Sequence, residues 1–375
     1  MNWSDFFHSS SFSILLVGSF VAASCALLGC FLVLRRMVLL GDALSHSVLP
    51  GIAIAFLLTG SLASFPMIVG AGTFGVLTVV LVQLLNRSGR LGEDASIGVV
   101  FPAFFALGVL IISRYARDVD LDIDCVLFGE IAYTPLDLWV LGGVELPRAV
   151  WFTGGILVLN LLVVTILYKE LKLTSFDPAL AAALGLSPLA VHYILMSAVS
   201  VTVVGSFQSV GAILVVAMLV VPAATAFLLT RRLRQMLGLA VVLGVLSAWS
   251  GYAMAYALDC SIAGGMATSA GGFFSLAFLF APRRGVVARA YAYRRLRVEL
   301  SGQLLLLHLR AGGDATDRVA SARRFAWRAR DLRRAVRPLL ASGLVEQVGD
   351  GLRLTPRGER ALEEQGTAPL AHRDA

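Results

Sequence analysis

The 375-residue chain is 58% hydrophobic and 15% charged, against about 25% charged residues in an ordinary soluble domain. With a mean hydropathy of +0.82, that composition excludes a wholly soluble protein and makes this an integral membrane protein. Charge is scarce up to about residue 282 and dense, with arginine dominant, from Arg283 onward, so the chain divides into a bilayer part and an aqueous part. Its four cysteines form no CxxC, and neither a disulfide framework nor a thiolate metal site is indicated.

The first apolar run, Phe12 to Leu34, lacks an early basic stretch and a processing site before Arg35-Arg36, which predicts a retained helix rather than a signal peptide. The second, about Gly41 to Leu58, opens with Gly41-Asp42-Ala43-Leu44-Ser45-His46 and contains Pro50-Gly51. In a helix Asp42 and His46 lie one above the other at i,i+4, with Ser45 beside them. Two readings of the pair stand. Either Asp42 caps the helix after Gly41 and His46 is a packing group, or two adjacent metal-type ligands inside a membrane helix mark a pathway. Pro50 adds a distortion that frees backbone carbonyls, which membranes tolerate where the chain is buried in protein or lines a cavity.

The third span is predicted over about Phe65 to Leu85 and the fourth over Ala95 to Ile112. Asp118, Asp120, Asp122 and Asp124 then alternate with apolar residues; without a calcium-loop glycine, this reads as a solvated acidic loop. A short amphipathic segment from Phe128 to about Leu141 precedes the fifth span, Val150 to Tyr168. Asp177-Pro178 opens a surface helix that Gly185 ends, too short to cross a bilayer. The remaining spans are Pro188 to Val204, Gly211 to Leu229, Leu237 to Leu258 and Gly265 to Ala281, with a tight bend or broken helix over 205–211.

Basic residues fall at every second boundary: Arg35 and Arg36, Arg87 and Arg90, Lys169 and Lys172, Arg231 to Arg234, and Arg283 to Arg289. The positive-inside rule therefore puts the N-terminus outside, and the surface helix and C-terminal domain in the cytoplasm of a multi-pass cell-membrane protein. No GxxxxGK[ST], kinase set or HExxH occurs. A transporter built on this chain must use an ion gradient or borrow an ATPase.

Three stretches carry a resemblance. They are Arg35-Arg36-Met37 with Leu40 to His46 and Leu49-Pro50-Gly51; Phe176-Asp177-Pro178 with Ala183-Leu184-Gly185; and Val210 to Leu219 with Pro222 to Ala226. In this order, over roughly residues 10 to 282, the chain resembles the membrane permease subunits of ABC transporters for zinc, manganese and iron. That resemblance implies a second permease subunit, a cytoplasmic ATP-binding subunit that uses the ATP, and an extracytoplasmic metal-binding protein. It also implies that Asp42 and His46 are transient ligands in the translocation path, with manganese, zinc or iron as cargo and no permanently bound cofactor. A carboxylate and an imidazole suit such borderline ions.

Beyond the spans, helical runs at Leu300 to Leu309 and Phe325 to Leu340 precede a strand, turn and strand over 343–358 and a final helix from Glu359. This order resembles a winged helix, with Arg328, Arg330, Arg333, Arg334 and Arg337 on the second helix. The expected architecture is an all-α polytopic membrane protein of about 8–9 transmembrane helices with a small cytoplasmic α+β winged-helix domain. Its expected parts are a permease domain over 1–282, a linker or helix over 283–298, the winged helix over 299–366 and a disordered tail over 367–375. A membrane-tethered metal-responsive transcription regulator, touching DNA through the tail, is the alternative.

Overall fold

Nine helices among the described residues are long and apolar enough to cross a membrane, which makes this a multi-pass membrane protein. The computed structural model describes residues 10–367 apart from 60–63, 90, 116–130, 137, 142–143, 283, 313–315, 318–324, 326, 328 and 350. The acidic run at 118–124 and the tail from 368 lie outside the described residues.

In chain order, α1 (Ser10–Arg35) is followed by α2 (Val38–Ser47) and α3 (Leu49–Thr59), which together make one broken span. Next come α4 (Ser64–Arg87) and α5 (Glu93–Tyr115), a 3-10 turn at Ile131–Leu136, and the antiparallel strands β1 (Leu138–Leu141) and β2 (Val144–Pro147). After α6 (Arg148–Ile166) lie the short helices α7 (Tyr168–Phe176) and α8 (Pro178–Ala183). The spans then resume with α9 (Pro188–Val210), α10 (Ala212–Leu229), α11 (Leu233–Leu258) and α12 (Ile262–Phe280).

The structure sharpens two local expectations. Within the segment expected to be amphipathic up to Leu141, the described residues form a 3-10 turn and the strand β1, which pairs with β2. Pro135 interrupts helical bonding there, and Trp139, Val140 and Leu141 favour an extended chain. The bend predicted over 205–211 narrows to one residue, because α9 runs on to Val210 and Gly211 alone turns the chain, at φ 80°. Asp177 caps α8 as the sequence predicts, accepting from the Leu180 N–H at 2.9 Å.

Small residues hold the bundle together, since lipid removes the hydrophobic drive between helices and leaves close packing and hydrogen bonds to act. The central helix α1, with Val17, Ala22, Cys25 and Phe31 fully buried, packs against α6, α10 and α11. A Cβ on Gly29 would fall on the Leu219 carbonyl, and one on Gly51 would fall on the Gly70 carbonyl of α4. Outward faces instead expose Leu110, Val158 and Ile166. Scattered polar pairs add direction: Asn160 Nδ2 donates to Thr202 Oγ1 at 2.7 Å, and Trp249 Nε1 donates to Ser19 Oγ at 3.0 Å.

Contacts divide the chain into two compact units, Met1–Arg284 and Gly285–Ala375. The second contains α13 (Val286–Gly312), β3 (Thr316–Asp317), α14 (Ala329–Ala341), β4 (Val345–Val348), β5 (Gly351–Leu354) and α15 (Pro356–Thr367). Its small sheet, ordered β3-β5-β4, is antiparallel. The core is of soluble type, with Leu305, Leu309, Leu332, Val336, Leu339 and Leu352 buried together. Gly343, at φ 69°, ends α14 with the paired backbone bonds of a Schellman turn, Leu344 N–H to Leu339 at 3.0 Å and Gly343 N–H to Leu340 at 3.1 Å.

Candidate functional site

The site begins with how α1 stops. Arg36 takes a left-handed conformation at φ 62°, its N–H donates to the Val33 carbonyl at 3.2 Å, and the Met37 N–H donates to Leu32 at 2.9 Å. That is a Schellman turn with arginine where glycine is usual. It reverses the chain so that α2 starts at Val38, four residues before Asp42. Asp42 therefore lies inside α2, and the expectation that it might cap the helix is corrected: the cap residue is Met37, with no side-chain cap bond.

Asp42 and His46 occupy one face of α2, as the i,i+4 spacing predicts, with His46 Nε2 3.9 Å from Asp42 Oδ1. That gap is too long for a hydrogen bond. The Asp42 side chain is 55% exposed and that of His46 29%, so the pair is open to a visiting group. Ser45 serves the backbone instead, its hydroxyl donating to the Asp42 carbonyl at 2.5 Å.

Below the pair the span breaks. Pro50 has no N–H to give the carbonyl four residues back, which is that of His46, and the Val48 N–H points to that carbonyl. The broken segment is braced on two sides. On the α4 side, the buried Thr78 hydroxyl donates to Ser47 Oγ at 2.9 Å, and Gly51 lies against Gly70. On the α5 side, the Phe101 and Phe105 rings stand 5.5 and 5.9 Å from the His46 imidazole. Neither phenylalanine is singled out by sequence reasoning, although their own i,i+4 spacing is a signal that they share a helix face.

Among the described residues no group of three or more His, Cys, Asp or Glu side chains converges as a metal cage. Asp42 and His46 set one carboxylate oxygen and one imidazole nitrogen side by side, a donor pair of the kind borderline dications accept, where closed structural sites use four ligands.

Comparison with known proteins agrees with the fold. The model of the ABC 3 transport family matches residues 9–281. The manganese transport system membrane protein MntD of Bacillus subtilis is 48% identical over 290 residues, covering 77% of this chain and 98% of that protein. The zinc transport system membrane protein TroD of Treponema pallidum is 43% identical over 351 residues, 92% of this chain and 96% of its own length, so that likeness runs well into residues 285–375. A solved structure, PsaBC from Streptococcus pneumoniae in complex with Fab, superposes with a TM-score of 0.61 at 33% identity, over 72% of this chain and 92% of that one. The chain belongs to the ABC 3 transport family.

Proposed function

We propose that this chain is the permease subunit of an ATP-driven importer of divalent transition-metal ions, with manganese, zinc or iron as cargo. The observation that carries the reading is likeness over nearly the full length of relatives named for manganese and for zinc transport. The chain is a conduit and not an enzyme; ATP is hydrolysed by a separate subunit. It works with a second permease copy or homologue, a cytoplasmic ATP-binding subunit and an extracytoplasmic metal-binding protein.

Asp42 and His46 are the transient ligands of the path. An ion with bonds of about 2.0–2.2 Å to each would draw their facing atoms closer than the 3.9 Å that separates them. Water or the second permease completes the shell. Phe101 and Phe105 hold the imidazole in place, and the break at Val48 lets the pair-bearing turn shift without unwinding the whole span. By the charge rule the basic ends of the spans, α7 and α8 face the cytoplasm, and the C-terminal unit lies there too.

For that unit, the order α13, β3, α14, β4, β5, α15 supports a winged helix over residues 299–366, joined to the permease domain of 1–282 through the stretch 283–298. Arg330, Arg333, Arg334 and Arg337 of α14 line a cavity of about 450 Å3. Such a row can meet nucleic-acid phosphates, but a regulatory or protein-docking role for the domain ranks ahead of DNA contact.

The test is radiometal uptake into vesicles holding this chain, its second permease copy or homologue, the ATP-binding subunit and the metal-binding protein. Uptake is expected to require ATP and every one of these components. ATP-driven uptake by this polypeptide alone, or none by the full assembly, would sink the reading.

A further inference from the structure

Away from Asp42 and His46, the ends of α1 and α4, the junction of α7 with α8 and the start of α9 border an open cavity of about 550 Å3. Arg35, Arg36, Arg87 and His192 line it, and among the described residues no carboxylate is in its walls. The ion pairs found among the described residues include none of these arginines.

The positive side chains are held in place. Arg35 Nη2 donates to Thr174 Oγ1 at 2.8 Å and its Nε donates to Ser175 Oγ at 3.0 Å. Neutral hydroxyls fix the direction of the guanidinium without cancelling its charge. Arg36 is set at the end of α1 by its left-handed backbone, a conformation that side-chain-bearing residues other than asparagine and aspartate seldom adopt. Like charges gathered in one cavity repel unless an anion joins them.

Position and chemistry select the anion. Two spans end here and a third begins, so the cavity lies at one boundary of the membrane, the depth of lipid phosphates. Planar guanidinium forks match phosphate oxygens, and basic pockets between membrane helices take phospholipid head groups. The remaining wall includes Leu34 and Leu189, apolar surface on which the lipid's glycerol end can rest. We propose that this cavity seats a phosphate group, presented by the headgroup of an anionic phospholipid that ties α1, α4 and α9 together. The proposal is independent of metal transport and stands or falls without it.

The experiment titrates phosphatidylglycerol into the purified full chain in neutral phosphatidylcholine–detergent micelles, with bound lipid counted by native mass spectrometry. Inorganic phosphate is titrated in parallel. Saturable binding of phosphatidylglycerol is expected, with inorganic phosphate failing to displace it. The double variant Arg36→Asn, Arg87→Gln should bind about fivefold more weakly for each charge lost. Both residues are exposed, and asparagine tolerates the left-handed turn, so the fold should survive. A control pair, Arg231→Gln with Arg232→Gln, removes equal charge between α10 and α11 and should leave binding unchanged. Binding untouched by the first pair, or reduced equally by the control, would overturn the proposal. Displacement by inorganic phosphate would overturn the lipid source. If phosphatidylglycerol is inert and the first pair alters only recovery of the ATP-binding subunit, the cavity is a protein socket and the proposal also fails.

Discussion

The two units of this chain are held together largely by different means. In Met1–Arg284 the tight places are where side chains are missing: Gly29 on the Leu219 carbonyl, Gly51 on Gly70, and Gly251 on the backbone of Gly265 and Met266. In Gly285–Ala375 one such approach recurs, Gly358 on the Leu344 carbonyl, but the core is filled by large side chains, Leu305, Leu309, Leu332 and Leu352, behind an amphipathic α14. Solvent explains the difference. Burying leucine gains little when the alternative is lipid, so close approach of backbones takes over; next to water, the same leucine contributes about 1.5–3 kcal/mol on burial. The contrast also governs how charge is read. A carboxylate such as Asp42 inside an apolar span is costly and marks a candidate site, whereas the arginines of α14 sit in a basic stretch of a water-facing unit, where charge by itself assigns no role.

Opposite substitutions should therefore break the two units. Adding atoms should be worst in the first: Gly51→Val drives a side chain into the Gly70 carbonyl, where backbone cannot step aside as a rotamer would. Loss of monodisperse protein on size-exclusion chromatography is expected, and wild-type behaviour would show that the α3–α4 crossing is looser than drawn. Removing atoms should be worst in the second. Leu305→Ala opens the C-terminal core at a cost of about 2–5 kcal/mol, read as faster hydrogen exchange confined to residues 286–367 of the full chain; unchanged exchange there would remove the claim of a soluble-type core. The smallest effect is at a cap. Thr355 Oγ1 accepts from the Gly358 N–H at 3.2 Å and donates to the Gly343 carbonyl at 2.7 Å. Thr355→Ala should thus cost about 1 kcal/mol, seen in the same exchange measurement as a loosening of α15 and the α14 end together.

Much of the first unit was legible in the sequence because each span is a long apolar run between polar or basic ends, and a hydrophobic helix of that length has few alternatives. The Asp42–His46 face was legible for a similar reason, since helical periodicity fixes which residues share a side. Illegible were features made by distant segments meeting. Nothing local says that Phe101 and Phe105 stand beside His46, or that Arg35, Arg36 and Arg87 line one cavity. Short elements failed for another reason: the hairpin over Leu138–Pro147 has eight paired positions, too few for period-2 alternation to stand out. The helix start at Val38 has no local signal, because Arg36 stands where a glycine ordinarily marks such a turn.

The central claim is that Asp42 and His46 are a transient metal site rather than a packing contact, and radiometal uptake by the assembled transporter tests it most directly. Asp42→Asn keeps size while removing the charge that offsets a dication, and His46→Gln removes the imidazole nitrogen. Each should lower uptake by roughly tenfold or more, the loss that even outer-shell partners of metal ligands produce, while the amount of complex recovered with the ATP-binding subunit stays at the wild-type level. Near-normal flux per assembled complex in both variants would contradict the claim and return the pair to the role of a packing contact between α2 and α5.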